Sequence, residues 1–142
     1  MRRLPRLLLP ALLGCAMPAD VSPGPDPQLT VELSSRPVQS PDDEDWARAT
    51  GGPGRIAVEG SITTPTPCYT LAGRARRDGR TVTLTVAAER KEGGCIQVIA
   101  GFRYDAAVRG LPAGTYTLRV QHTYAGTGWE PRTAAETQVE VR

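Results

Sequence analysis

The sequence predicts an all-β sandwich of about seven antiparallel strands, with one short helix in its first long loop. Three observations point to it. Apolar residues alternate with polar ones in many short segments, of which Val82, Leu84, Val86 and Ala88 among threonines form the clearest. Turn residues separate the segments at near-regular spacing, and 15 glycines and 13 prolines supply them. A chain of 142 residues, less a leader and a tail, suits one domain with a modest core.

The elements follow in order. Leu29, Val31 and Leu33 alternate with Thr30, Glu32 and Ser34. Ile56 and Val58 alternate within 55–62, and Tyr69 and Leu71 open the segment 68–77. Arg77-Asp78-Gly79-Arg80 reads as a hairpin turn of type I′, with Asp-Gly supplying positive φ, and leads into strand 80–90. Lys91-Glu92-Gly93-Gly94 is the next turn. Residues 95–104 are more continuously apolar and read as a central strand. Tyr116, Leu118, Val120, His122 and Tyr124 share one strand face, and Val139 and Val141 belong to the last strand. The exception is 40–49. Ser40 caps, Pro41 suits the first helical position, and Asp42, Asp43, Glu44 and Asp45 favour the positive end of a helix dipole. These contiguous acids read as a solvated cap. A calcium loop would alternate its ligands around a turning glycine.

The N-terminus reads as an address. Arg2, Arg3 and Arg6 precede the apolar run Leu7–Leu13, which closes as Leu12-Leu13-Gly14-Cys15. That run is too short to span a bilayer, and its layout is that of an export signal. Its ending resembles the lipobox of bacterial lipoproteins. The resemblance implies cleavage after residue 14, lipid attachment at Cys15 and a membrane anchor in the cell envelope. Ala16, where an Asp commonly retains such proteins in the inner membrane, implies the outer membrane. Residues 15–27, with four prolines and a glycine, form a disordered spacer, so 28–142 is the folded domain.

Composition narrows the partners. Removing three arginines from the 17 basic residues leaves them one short of the 15 acidic residues, so net charge does not suggest nucleic acid. Cys68 and Cys95 are then an even pair in an oxidising compartment, and a disulfide between them is expected. Both lie at starts of strands that run the same way. In a flat three-strand meander they would be roughly 9–10 Å apart, too far for a disulfide. The two segments therefore either face each other across two sheets or are neighbours in one.

Gly110-Leu111-Pro112-Ala113-Gly114-Thr115-Tyr116-Thr117-Leu118-Arg119-Val120 resembles the Leu-Pro-x-Gly turn and Tyr-led penultimate strand of bacterial immunoglobulin-like and prealbumin-like domains. The likeness implies a sandwich and no particular activity.

Chemistry is sparse. His122 is the lone histidine and sits on an apolar strand face, where packing is its expected role. No nucleophile elbow, zinc motif or phosphate loop is present in the sequence, and no metal site or cofactor is expected. The chain reads as a non-enzyme that binds an envelope protein or surface ligand through loops, or serves envelope structure. The alternative is a loop-based inhibitor of extracellular proteases. Simple strand alternation puts loops 63–67, 91–94 and 125–133 at one end, and 35–54, the Asp78-Gly79 turn and 110–114 at the other. The first end gathers Thr66, both cysteines, Trp129, Glu130 and Arg132, the candidate binding residues.

Overall fold

The computed structural model describes residues 29–142. The leader 1–14 and the whole spacer 15–27, Cys15 included, lie outside these residues. The described chain folds into eight strands: β1 (Thr30–Val38), β2 (Trp46–Gly52), β3 (Arg55–Thr64), β4 (Tyr69–Asp78), β5 (Thr81–Arg90), β6 (Ala100–Arg109), β7 (Gly114–Tyr124) and β8 (Arg132–Val141). Two four-stranded sheets result, ordered β1-β6-β3-β2 and β4-β5-β7-β8. Alternate residues of both sheets point inward. Ile56, Val58, Val82, Leu84, Val86, Tyr104, Val108, Tyr116, Leu118 and Val120 are buried between them. At about 25 cal/mol per Å² of apolar surface, this shared core is the main stabilising contribution.

The alternation in β5 packs as expected, with Val82, Leu84, Val86 and Ala88 buried, and Ala87, out of phase with them, is covered as well. One pairing departs from an all-antiparallel sandwich. β5 and β7 are parallel, with Val82 beside Leu118 and Val86 beside His122. The chain leaves β5, crosses to the other sheet as β6, and returns in the direction it left.

The expected helix at 40–49 is absent. Residues 39–45 form an irregular bend and Trp46 begins β2, paired with β3 from Trp46–Ser61 to Gly52–Arg55. Tertiary pairing overrides the local capping signals. Ala47 and Ala49 pack on the core while Arg48 and Thr50 face water, a period of two that a helix could not serve. Gly51 lets this edge close on the other sheet, because a Cβ there would strike the carbonyl of Glu140.

Two turns also differ. In the β4–β5 hairpin Asp78 pairs with Thr81, and Gly79 alone has positive φ, at 58°. Positive φ at only the first loop position is the type II′ pattern, not type I′. The segment 95–104 is not one strand, since β6 begins at Ala100. Residues 91–99 instead carry the chain from one sheet to the other. The later part is central as expected, with β6 lying between β1 and β3.

The motif at 110–116 does what its residues predict. Gly114 adopts φ of 152°, Tyr116 is buried, and its hydroxyl donates to the Pro112 carbonyl at 2.6 Å. A strand-leading tyrosine bonded a few residues upstream is the tyrosine corner of β-sandwiches.

Candidate functional site

Four loops gather at one end of the sandwich: 39–45, 65–68, 91–99 and 125–131. The register places them there, since Val38 and Thr64 reach the start of β6, while Tyr69, Arg90 and Tyr124 end together on the second sheet. The expected end therefore forms, with one correction. The bend 39–45 joins it rather than the opposite end, because β1 and β3 both pair antiparallel to β6 and so run the same way. The opposite end holds the turns at 53–54, 79–80 and 110–113, together with the start of β1.

Beneath these loops lies a buried polar cluster. His122 is fully buried on β7. Its Nδ1 is 2.8 Å from Asp45 Oδ2, and its Nε2 is 2.9 Å from the Tyr104 hydroxyl on β6. The Tyr124 hydroxyl donates to the same Asp45 oxygen at 2.7 Å. Asp45 Oδ1 accepts the Thr63 amide at 2.9 Å, taking a β3 N–H just beyond the last β2 pairing. Since a carboxylate only accepts, the partners assign a hydrogen to Nδ1, which donates to Asp45, while Nε2 and the Tyr104 hydroxyl share the second bond of the ring. Burial pushes the Asp45 carboxyl up, but hydrogen bonds from His122, Tyr124 and Thr63 outweigh it and hold it below its usual range. Burial, reinforced by Asp45, raises both Tyr104 and Tyr124 well above the ordinary phenol range. Gly60 makes the room, because a Cβ there would strike the Tyr104 phenol.

This cluster joins the two sheets. Tyr104 belongs to the first, His122 and Tyr124 to the second, and Asp45 to the bend before β2. Sequence reasoning placed His122 correctly on a packed face but took Asp45 for a solvated cap; its side chain is only 5% exposed. The one signal available was phase, because Asp45 precedes the inward alternation of Ala47 and Ala49. The pairing resembles an acid–base relay in outline, and its groups are covered by the loops above.

The other acids of the bend differ in their surroundings. Asp43 and Glu44 are exposed. Asp42 accepts from the Trp46 indole at 2.9 Å and from Arg103 at 3.0 Å. Hydrogen bonds from Ser61 and Trp46, followed by the Arg103 charge, hold its carboxyl below the usual range. The guanidinium groups of Arg48 and Arg103 each lie 5.0 Å from the Trp46 ring centre, a cation–π pair that pins the bend to the outer sheet face.

The candidate binding residues are all at this end. The Trp129 ring meets Tyr124 edge-on at 5.4 Å and lies under the Arg132 guanidinium at 5.1 Å. Trp129 is half-buried and closes the end of the core. Thr66 organises its own loop, with its hydroxyl accepting from the Cys68 amide and its carbonyl accepting from Thr64. Glu130 is exposed. An open groove of about 240 Å³ runs between Thr66, Arg90, Gln97 and Trp129.

Cys68 and Cys95 form the expected disulfide, with Cα atoms 6.0 Å apart. Cys68 immediately precedes β4, and Cys95 lies in the crossing segment that leads to β6. Of the two arrangements considered, facing sheets is the one found. The bond tethers a segment whose side chains stand in water, with Ile96 66%, Val98 52% and Ile99 60% exposed. Reading 95–104 as one central strand hid this feature. Apolarity in 95–99 serves the surface, while the buried run begins at Ala100.

Comparison with protein-family models matches residues 57–128 to the ORF11 beta-sandwich domain, and the chain belongs to that family. The match covers Tyr104, His122, Tyr124 and both cysteines, while Asp45 and Arg132 lie beyond it. No curated protein and no solved structure matches the chain.

Proposed function

We propose that this protein is an exported β-sandwich, anchored to an envelope membrane by lipid on Cys15, that binds another polypeptide through its disulfide-held loop end. The observation that carries the reading is polarity along the domain. The chain enters β1 at the end opposite the loops, so an anchor before it leaves the loop end facing outward. Strands of about ten residues, at about 3.3 Å each, put the two ends roughly 30 Å apart. The disulfide supports export to an oxidising compartment. The exposed Ile96, Val98 and Ile99 support binding, because monomers rarely leave several large aliphatic side chains together in water. The domain binds and positions rather than catalyses, with its single histidine sealed beneath the loops.

Fractionation of cells making the full-length chain tests the anchor. The wild type partitions with membranes, and Cys15→Ser releases it with its melting temperature unchanged. Sedimentation of both alike would refute lipid attachment.

One feature favours a second activity, inhibition of extracellular proteases. An exposed, cystine-tethered segment without strand partners has the form a protease cleft accepts. A loop-directed effect would appear as stoichiometric inhibition lost in Ile96→Asp. A panel of serine and cysteine proteases left uninhibited would exclude it for those classes.

A further inference from the structure

We infer that the segment Cys95–Ile99 is a pairing strand for the same segment of a second copy of this chain. The inference rests on the loop end being the binding end, and names what binds there.

Three observations carry it. The backbone is open: among the described residues no backbone hydrogen bond joins 94–99 to another segment, whereas Lys91 still bonds to Cys68 and Ala100 already pairs with Thr64. The residues favour a strand, with Ile96, Val98 and Ile99 β-branched and exposed. Two devices that blunt an open edge are missing, since no charge or proline lies between Gly94 and Ile99, and the one side chain bonded to this backbone is Gln97, which donates to the Cys95 carbonyl at 3.3 Å.

These features choose between occupants. A hydrocarbon layer would accept the side chains but strand the backbone N–H and C=O groups, each at a cost of several kcal/mol. A partner strand satisfies both. Antiparallel self-pairing about Gln97 sets Ile96 against Val98 of the other copy, Cys95 against Ile99, and Gln97 against itself. β-Branched side chains oppose one another with no like charges facing, which favours pairing. The disulfide holds the segment at one point and so limits the entropy lost on docking. Three aliphatic side chains cover well under the roughly 800 Å² per partner of a stable interface, so the dimer is weak and relies on confinement to a membrane.

Oxidative trapping in native membranes tests this with the full-length chain. Gln97→Cys places the new thiols opposite each other across the two-fold axis. Mild copper–phenanthroline oxidation should then give at least about tenfold more disulfide-linked dimer than Gln138→Cys, which sits on the outer face of β8. Adding Ile96→Asp and Val98→Asp should return the yield to that background, while unchanged thermal unfolding shows that the fold survives. Equal trapping at both positions, or trapping indifferent to the aspartates, overturns the inference. A mixed adduct with a different protein at Gln97 also overturns it but leaves the binding end standing. A chain that Cys15→Ser fails to release from membranes counts against the anchor alone.

Discussion

Asp45 and His122, 77 residues apart in the chain, are joined by a 2.8 Å contact between a carboxylate oxygen and an imidazole nitrogen. Around it the Tyr104 and Tyr124 hydroxyls complete a polar bridge between the sheets. Removing one member strands the others. Asp45→Ala leaves His122, Tyr124 and the Thr63 amide without their acceptor and should destabilise the domain by about 3–5 kcal/mol in denaturant unfolding. Asp45→Asn, which retains one acceptor oxygen, should cost less. Equal, small losses in both variants would show that the bridge contributes little.

Stability should fall at both extremes of pH, for opposite reasons. The Asp45 carboxyl lies below its unfolded value in the folded state, so its stabilisation is complete above about pH 4 and is lost as the pH falls through the folded value. Tyr104 and Tyr124 are raised, so their contribution is complete below about pH 10 and declines as pH rises beyond it, when unfolded tyrosines ionise. Melting temperature measured against pH should show both limbs. Asp45→Asn should flatten the acid limb, and Tyr124→Phe should reduce the alkaline one.

The disulfide closes a sequence separation of 27, for which the chain-entropy model gives about 3–4 kcal/mol. Cys68→Ser with Cys95→Ser should lower stability by about that amount. Amide exchange should rise mostly at Lys91, whose N–H bonds to the Cys68 carbonyl, and at the neighbouring ends of β4 and β5, with the β5 and β7 cores still protected. A uniform rise in exchange would mean that the bond supports the whole sandwich rather than the loop end.

Two glycines should behave oppositely. A Cβ at Gly60 would collide with the Tyr104 phenol and crowd the Trp46 carbonyl, so Gly60→Ala should cost about 2–3 kcal/mol. Gly128 has open space and no positive φ, so Gly128→Ala should stay within about 0.5 kcal/mol of wild type. Thermal unfolding of the pair separates crowding in the bridge from a general intolerance of alanine.

Period-two patterns made most of the sandwich legible. β5 and β7 could be read directly because one face is buried and the other polar, and the tyrosine corner because its turn residues have fixed roles. The pairing of Cys68 with Cys95 was legible from cysteine count and distance limits. Asp45 was not, since capping residues and clustered acids give a strong local helix signal that β2–β3 pairing overrides. The exposed tip was missed for a related reason. Apolar residues in sequence do not state whether they face a core or a partner, and Ile96 and Phe102 differ only in what the fold places over them. The parallel β5–β7 pair depends on a crossing between sheets, which no local pattern encodes.

A photo-activatable residue at Ile99 of the full-length chain, irradiated in native membranes, tests most directly whether this end meets another polypeptide. The account predicts a cross-linked species of higher mass that contains a second polypeptide chain and is absent when the same group replaces Gln138. Labelling of lipid alone, or equal protein adducts at both positions, would contradict it.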